Sequence, residues 1–191
     1  MMIKDISSLD PNKLYTYSDY LKWQFTERVE LIKGKIFKMS PAPSTRHQEI
    51  SVGLIGELQQ FLKRKSCKVF SAPFDVRLPS KNGTQIETVV QPDVCVICDP
   101  NKLDSKGCLG APDIVVEILS PQSTKKDLRE KFDLYEENGV LEYWVVYPND
   151  NALEVFVLED NKYESKGGLE KEDILTTPVL PGLELQLNEV F

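Results

Sequence analysis

Residues 112–148 limit the fold more than any other part of the chain, because they read as strand, helix, strand. In "PDIVVEILS" (112–120), Ile114, Val115, Val116, Ile118 and Leu119 form an apolar run of strand length, suited to burial on both faces. "STKKDLREKFDLYEENG" (123–139) follows with a helical pattern. Ser123 or Thr124 is the expected N-cap and Gly139 the stop. "LEYWVVYP" (141–148) is a second apolar strand. Two strands joined through a helix lie parallel, with a right-handed crossover. The predicted class is therefore α/β or α+β, a sandwich built on a mixed sheet.

The remaining segments arrange themselves around this unit. "TYSDYLKWQ" (16–24) predicts a short helix capped by Thr16 or Ser18, and "RVELIKGKIFKMS" (28–40) a hairpin turning at Lys33-Gly34. "RHQEISVGLIGELQQFLKRK" (46–65) is a helix, since Ile50, Leu54, Ile55, Leu58, Phe61 and Leu62 recur at helical spacing. "KVFSAPFDVRLP" (68–79), "TVVQPDVCVIC" (88–98) and "DIVVEILS" (113–120) predict three consecutive strands. "ALEVFVLED" (152–160) is a further strand, reached through the turn "NDN". "NKYESKGG" (161–168) reads as another turn, and the tail 176–191 as extended. The 191 residues suit one domain, 1–191: an N-terminal helix and hairpin at 15–40, a core at 44–148, and a C-terminal hairpin and tail at 149–191.

Composition narrows the function classes. Apolar residues make up 41% and charged residues 28%, as in a soluble globular protein. No window approaches the roughly 18 apolar residues of a membrane helix, and the first fifteen residues lack a signal-peptide apolar region. The expected location is cytoplasmic, with no membrane partner. The cysteines (Cys67, Cys95, Cys98, Cys108) are few for a disulfide scaffold, which favours a reduced setting. Cys95-x-x-Cys98 has the spacing of a zinc knuckle or redox pair. It lies within a strand pattern, however, and the chain has one histidine, so two strand-end cysteines are the better reading. A net charge of −7 argues against a broad basic surface for nucleic acid. Local clusters remain, Lys63, Arg64, Lys65 and Lys68 in one place and Lys125, Lys126, Arg129 and Lys131 in another. Each is either a basic groove or an ordinary solvated face.

Glu117 stands in the middle of the most apolar strand. A buried carboxylate is costly unless it is paired, hydrogen-bonded or bound to metal. Asp113 is four residues away on the same strand face, roughly 13 Å at strand rise and too far for one ion. An adjacent strand lies about 5 Å away, and "QPDVCVI" supplies an acid in an apolar setting, Asp93. Mg²⁺ or Mn²⁺ between Asp93 and Glu117 would relieve their repulsion. Protonation of one acid, or capping by arginine or backbone amides, would also do so. A metal held this way activates water and stabilises a pentavalent phosphorus transition state, and the site then needs a nearby cation. Position 119, on the same face, is leucine. The following helix offers Lys131, which shares a face with Asp127 and Tyr135. The plainer roles are an Asp127–Lys131 ion pair and core packing for Tyr135.

These residues resemble a known family. "VELIKGKIFKMSPAPSTRHQEISVGLIGEL", Asp93 in "QPDVCVI" and the long run "PDIVVEILSPQSTKKDLREKFDLYEENGVLEYWVVYP" look like the Uma2 family, of the PD-(D/E)XK nuclease superfamily. The resemblance covers residues 15 to 163. It implies a restriction-endonuclease-like α-β-β-β-α-β core with a mixed central sheet and extra terminal hairpins. It also implies a Mg²⁺-dependent endonuclease acting on DNA, with Asp93 and Glu117 as metal ligands and catalytic acids. The superfamily lysine would fall on Leu119, and Lys131 on the helix takes its place. His47 and Glu49 lie where relatives carry an accessory acid. By analogy, a homodimer is expected. The family ends its last core strand with "VDP", whereas this chain has Tyr147. Leu119 and Tyr147 keep a second function open, that of an inactive nuclease fold that binds nucleic acid or protein.

Overall fold

The structure, a computed structural model, describes residues 2–39, 43–80, 83, 85–121 and 125–191, the side chains of 125 and 126 excepted. The expected capping residues Ser123 and Thr124 lie outside the described residues. The chain opens with helix α1 (Tyr17–Tyr20), strands β1 (Val29–Ile32) and β2 (Lys35–Lys38), and helix α2 (Thr45–Leu62). Then come β3 (Lys68–Ser71), β4 (Val76–Pro79), β5 (Ile86–Val90), β6 (Val94–Ile97), β7 (Leu103–Asp104), β8 (Gly107–Leu109) and β9 (Ile114–Ile118). Helix α3 (Lys125–Asn138) leads to β10 (Glu142–Tyr147), β11 (Ala152–Glu159), β12 (Lys162–Glu170), β13 (Ile174–Leu175) and β14 (Leu185–Gln186).

The central sheet has the order β12-β11-β10-β9-β6-β3. β9 and β10 run parallel, from Ile114 opposite Glu142 to Ile118 opposite Val146, while the other pairings are antiparallel. The sheet is mixed, as the strand–helix–strand unit requires. Its elements up to β10, taken with the two long helices, run α2-β3-β6-β9-α3-β10. This is the expected α-β-β-β-α-β order.

The segments 68–79 and 88–98 are not the continuous strands expected. Each breaks near its proline and changes sheet, because proline offers no N–H to a ladder. β3 and β6 stay in the central sheet, while β4 and β5 join a second sheet of order β2-β1-β5-β4-β8-β7. The two corners are tied where the Ala72 N–H donates to the Asp93 carbonyl at 3.1 Å. The expected turn 161–168 is also corrected. Asp160 and Asn161, both at positive φ, make the turn, and Lys162–Glu170 is an edge strand. Its solvent face is polar throughout, so little alternation marked it. The tail is mostly extended but adds the β13–β14 pair.

Two cores flank the central sheet. On one face Ile50, Leu54, Leu58 and Leu62 of α2 pack on Val94, Val96, Ile114 and Val116. Cutting one of these leucines or isoleucines to alanine costs roughly 2–5 kcal/mol. On the other face Leu134 and Tyr135 of α3 meet Val115, Tyr143 and Val145, joined by Val76 and Leu78 from the second sheet. The hairpin turn expected at Lys33-Gly34 forms, with both residues at positive φ (50° and 77°), as a two-residue turn matching strand twist requires.

The cysteines depart from the reduced, unpaired expectation. Cys67 and Cys98 lie just beyond the paired residues Lys68 and Ile97 and form a disulfide. Cys95 and Cys98 therefore share no site, and Cys95 and Cys108 are buried free thiols. No helix among the described residues is long and apolar enough to cross a membrane.

Candidate functional site

The register that pairs Val94 with Val116 brings Asp93 beside Glu117 at the end of the central sheet. Both side chains fall on the α3 face, in phase with Cys95 and Val115. Pro92 turns the chain out of the second sheet and so places Asp93 at the entrance of β6.

Glu117 is 8% exposed. Its Oε1 accepts from Lys131 Nζ at 2.8 Å and from the Tyr135 hydroxyl at 2.7 Å. The same ammonium reaches Glu30 Oε1 at 3.3 Å, and that oxygen also accepts the Gln91 N–H at 2.8 Å. Asp93 Oδ2 accepts the Ile118 N–H at 2.8 Å and lies 3.3 Å from His47 Nε2. Ser44 caps α2 by accepting the His47 N–H, which holds His47 in the first turn, facing Asp93. His47 Nδ1 is buried without a hydrogen-bond partner among the described residues.

These contacts set the charge states. Burial pushes Glu117 up to about 7, Asp93 and Glu30 push the same way, and Lys131 opposes them. Burial by itself would lower Lys131, but the Glu117 and Glu30 carboxylates outweigh it and keep the ammonium charged. Burial raises Tyr135 well above the usual phenol range, so it remains a donor to Glu117. The hydrogen bond to Asp93 raises His47, against the effect of burial.

The group opens into a cleft of about 220 Å³. Asp93, Glu117, Lys131 and His47 line it, and Asp127 stands there as well. Leu119 also lines it, so the position of the missing strand lysine does face the cleft. Glu49 is not brought in. It is exposed and lies 3.8 Å from Arg46, because its place on α2 points away from the sheet. Asp113 accepts the Cys98 N–H at 2.7 Å and serves the strand entrance, as its distance from Glu117 implied. Tyr147 is not among the cleft-lining residues; it pairs with Ala152 at the end of β10. Arg129 pairs with Asp133 on the surface, and the Lys63–Lys68 cluster lies away from the cleft.

Glu30 went unread in the sequence, although a signal was present. "VELI" places one carboxylate among buried apolar residues, just as "VVEIL" does around Glu117. Phe37, opposite Glu30 in the hairpin register, lines the cleft as well.

Among the described residues no cluster of three or more His, Cys, Asp or Glu forms a metal cage. Mg²⁺ does not need one, since it keeps several waters and takes only one or two carboxylates. The described hydrogen bonds use Glu117 Oε1 and Asp93 Oδ2, which leaves each carboxylate a second oxygen. Two hard oxygen donors side by side, one of them raised in pKa by burial and by the acids beside it, fit a small divalent cation.

The family model of Uma2, described as "Putative restriction endonuclease", matches residues 17–188. An uncharacterized protein of Synechocystis sp. is 29% identical over 165 residues, spanning 82% of this chain and 84% of that protein. A crystal structure from Anabaena variabilis, described as a "putative nuclease belonging to DUF820", matches with a TM-score of 0.73 at 20% identity. The match covers 93% of this chain and 97% of that one. At that identity the likeness is one of fold, the restriction-endonuclease-like α+β arrangement traced above. With the family match extending over nearly the whole sequence, the chain belongs to the Uma2 family.

Proposed function

We propose that the chain is a metal-dependent endonuclease that hydrolyses phosphodiester bonds in DNA. One observation carries this reading: Asp93 and Glu117 stand side by side at a cleft, with Lys131 bonded to Glu117 at 2.8 Å. The family description and the fold of its relative support it. Asp93 and Glu117 would hold Mg²⁺ or Mn²⁺. Bound there, such an ion supplies an activated water and offsets charge on the scissile phosphate. Lys131 keeps a fixed positive charge beside the reacting centre. Glu30 aims that ammonium, Tyr135 fixes the rotamer of Glu117, and His47 with the Ile118 N–H fixes Asp93.

Purified protein incubated with Mn²⁺ and either supercoiled plasmid or single-stranded circular DNA tests the reading. Hydrolysis by the native chain, and none by Asp93→Ala or Glu117→Ala, is expected. Equal cleavage by all three would trace the activity to a contaminant and end the proposal. Lys131 already bound to two carboxylates, with Leu119 at the strand position, favours one other reading, a nuclease fold that binds without cutting. A folded protein that takes up no Mn²⁺ in calorimetry would select that alternative.

A further inference from the structure

The wall of the cleft opposite α3 is the β1–β2 ribbon. Its register sets Glu30 against Phe37, and Met39 bonds back to Arg28. One ribbon face therefore carries Arg28, Glu30, Ile32, Phe37 and Met39 in alternation, and all five line the cleft. Leu119 and Leu128 extend the apolar surface on the other side.

Acids outnumber cations among the described lining residues. Described lining carboxylates are Glu30, Asp93, Glu117, Asp127 and Glu130, against the cations Arg28, Lys38 and Lys131. Lys131 is engaged by two of those acids. The whole chain carries −7. Binding to duplex backbone depends on neutralising many phosphates, and the described lining offers only Arg28, Lys38 and Lys131 for that. What it offers is a half-buried aromatic ring and a thioether beside the reacting centre. A cleft of about 220 Å³ is of a size to take one base.

We propose that the cleft takes an unpaired nucleotide of single-stranded nucleic acid, its base lodged against Phe37 and Met39 of the β1–β2 ribbon. The inference rests on the nuclease reading for its location and specifies the substrate class of that site. Arg28 at the mouth meets the adjoining phosphate, and stacking on Phe37 supplies sequence-tolerant affinity, since every base has a π-face.

Fluorescence anisotropy on the full chain, with EDTA present, separates binding from hydrolysis. The probes are labelled oligodeoxythymidylate, oligouridylate and a duplex of the same length. Single strands should bind roughly tenfold or more tightly than duplex. The salt dependence should be shallow, with a log–log slope of about −0.7 to −1.4 as only one or two phosphates are met. Phe37→Ala should weaken single-strand binding about tenfold, and Phe37→Trp should retain it. Phe37→Leu keeps the apolar bulk and serves if the alanine variant unfolds; it should still lose most of the affinity. A preference between the DNA and RNA probes assigns the sugar. Duplex binding equal to or tighter than single-strand binding, or unchanged affinity in folded Phe37→Ala or Phe37→Leu, overturns the inference. Single-strand binding without Mn²⁺-dependent cleavage would refute the nuclease reading and leave this one standing. Cleavage of duplex with no single-strand preference would do the reverse.

Discussion

Replacing Lys131 with methionine removes the cation that bridges Glu117 and Glu30 and keeps most of the side-chain volume. The ammonium lies 2.8 Å from one carboxylate and 3.3 Å from the other. At an effective dielectric of about 20, each contact is worth roughly 5–6 kcal/mol of gross attraction. Desolvation of the ammonium offsets most of this, and the Lys131 side chain is still 19% exposed. The net loss for Lys131→Met at alkaline pH is about 3 kcal/mol, the low end for a broken buried pair. It should depend on pH in one direction. Native Glu117 has a folded-state pKa raised to about 7 from 4.5, so in metal-free protein its contribution is fully present below 4.5 and lost as pH rises through 7. Without Lys131 that pKa rises further. Between about 7 and the new value the variant binds an extra proton, so its deficit shrinks by up to about 1.4 kcal/mol per pH unit as pH falls. Below 7 both forms are protonated and the difference levels off. Glu117→Gln combined with Lys131→Met leaves a neutral amide, which still accepts from Tyr135, and should recover about 2 kcal/mol of the deficit measured at high pH. Urea unfolding in EDTA at several pH values reads all of this. A deficit that stays constant across the range, or a double variant no better than Lys131→Met at high pH, would show that the pairing has been misjudged.

Other expectations are simpler. Fully buried Glu142 accepts from the Trp144 indole, the Thr177 hydroxyl and the Val179 N–H, so Glu142→Ala strands the indole and the hydroxyl, while the Val179 N–H keeps the Thr177 oxygen at 3.1 Å. It should cost about 3 kcal/mol or more in urea unfolding, and Glu142→Gln less. Ser44→Ala removes the cap of α2 and should lower stability by about 1 kcal/mol, seen as a shifted unfolding midpoint. Thiol titration of the unfolded, unreduced chain should find Cys95 and Cys108 reactive, with Cys67 and Cys98 appearing only after reduction. His47→Ala should weaken Mn²⁺ binding by calorimetry roughly 10–100-fold, as the loss of a group orienting a metal ligand does, with the fold intact.

The parts legible in the sequence were those with local periodicity. The helical spacing of Ile50, Leu54 and Leu58, and the unbroken apolar runs around Val115 and Val145, place α2, β9 and β10 without any tertiary knowledge. Asp93 and Glu117 could be paired because strand rise separates Asp113 from Glu117 while an adjacent strand does not. The second sheet was not legible. Its strands β4 and β5 share apolar runs with β3 and β6, and only a proline in each run marks the change of sheet. Recognising the corners depends on where each strand finds its hydrogen-bond partner, which is non-local. Glu30 was hidden for the same reason, since β1 reaches the site only through its place in that second sheet.

A lysine carried on the helix has different surroundings from one on the strand. A lysine at position 119 would stand on the same strand as Glu117, two residues along. Lys131 instead enters from α3 on the opposite wall, where one ammonium bridges Glu117 on the central sheet and Glu30 on the second. The bridge ties the two sheets across the cleft, so the proposed catalytic cation and the scaffold depend on the same contact. It also changes the charge count. With carboxylates at Glu30, Asp93 and Glu117 ionised and Lys131 charged, the cluster carries −2, which one divalent cation would cancel. Without Glu30 the count would fall to −1, and the ammonium would lose the second acid that outweighs the effect of burial. On this reasoning Glu30→Gln should loosen Lys131 and weaken Mn²⁺ binding although Glu30 need not touch the ion. Calorimetry showing affinity equal to that of the native chain would separate Glu30 from the site and leave it a structural residue of the hairpin.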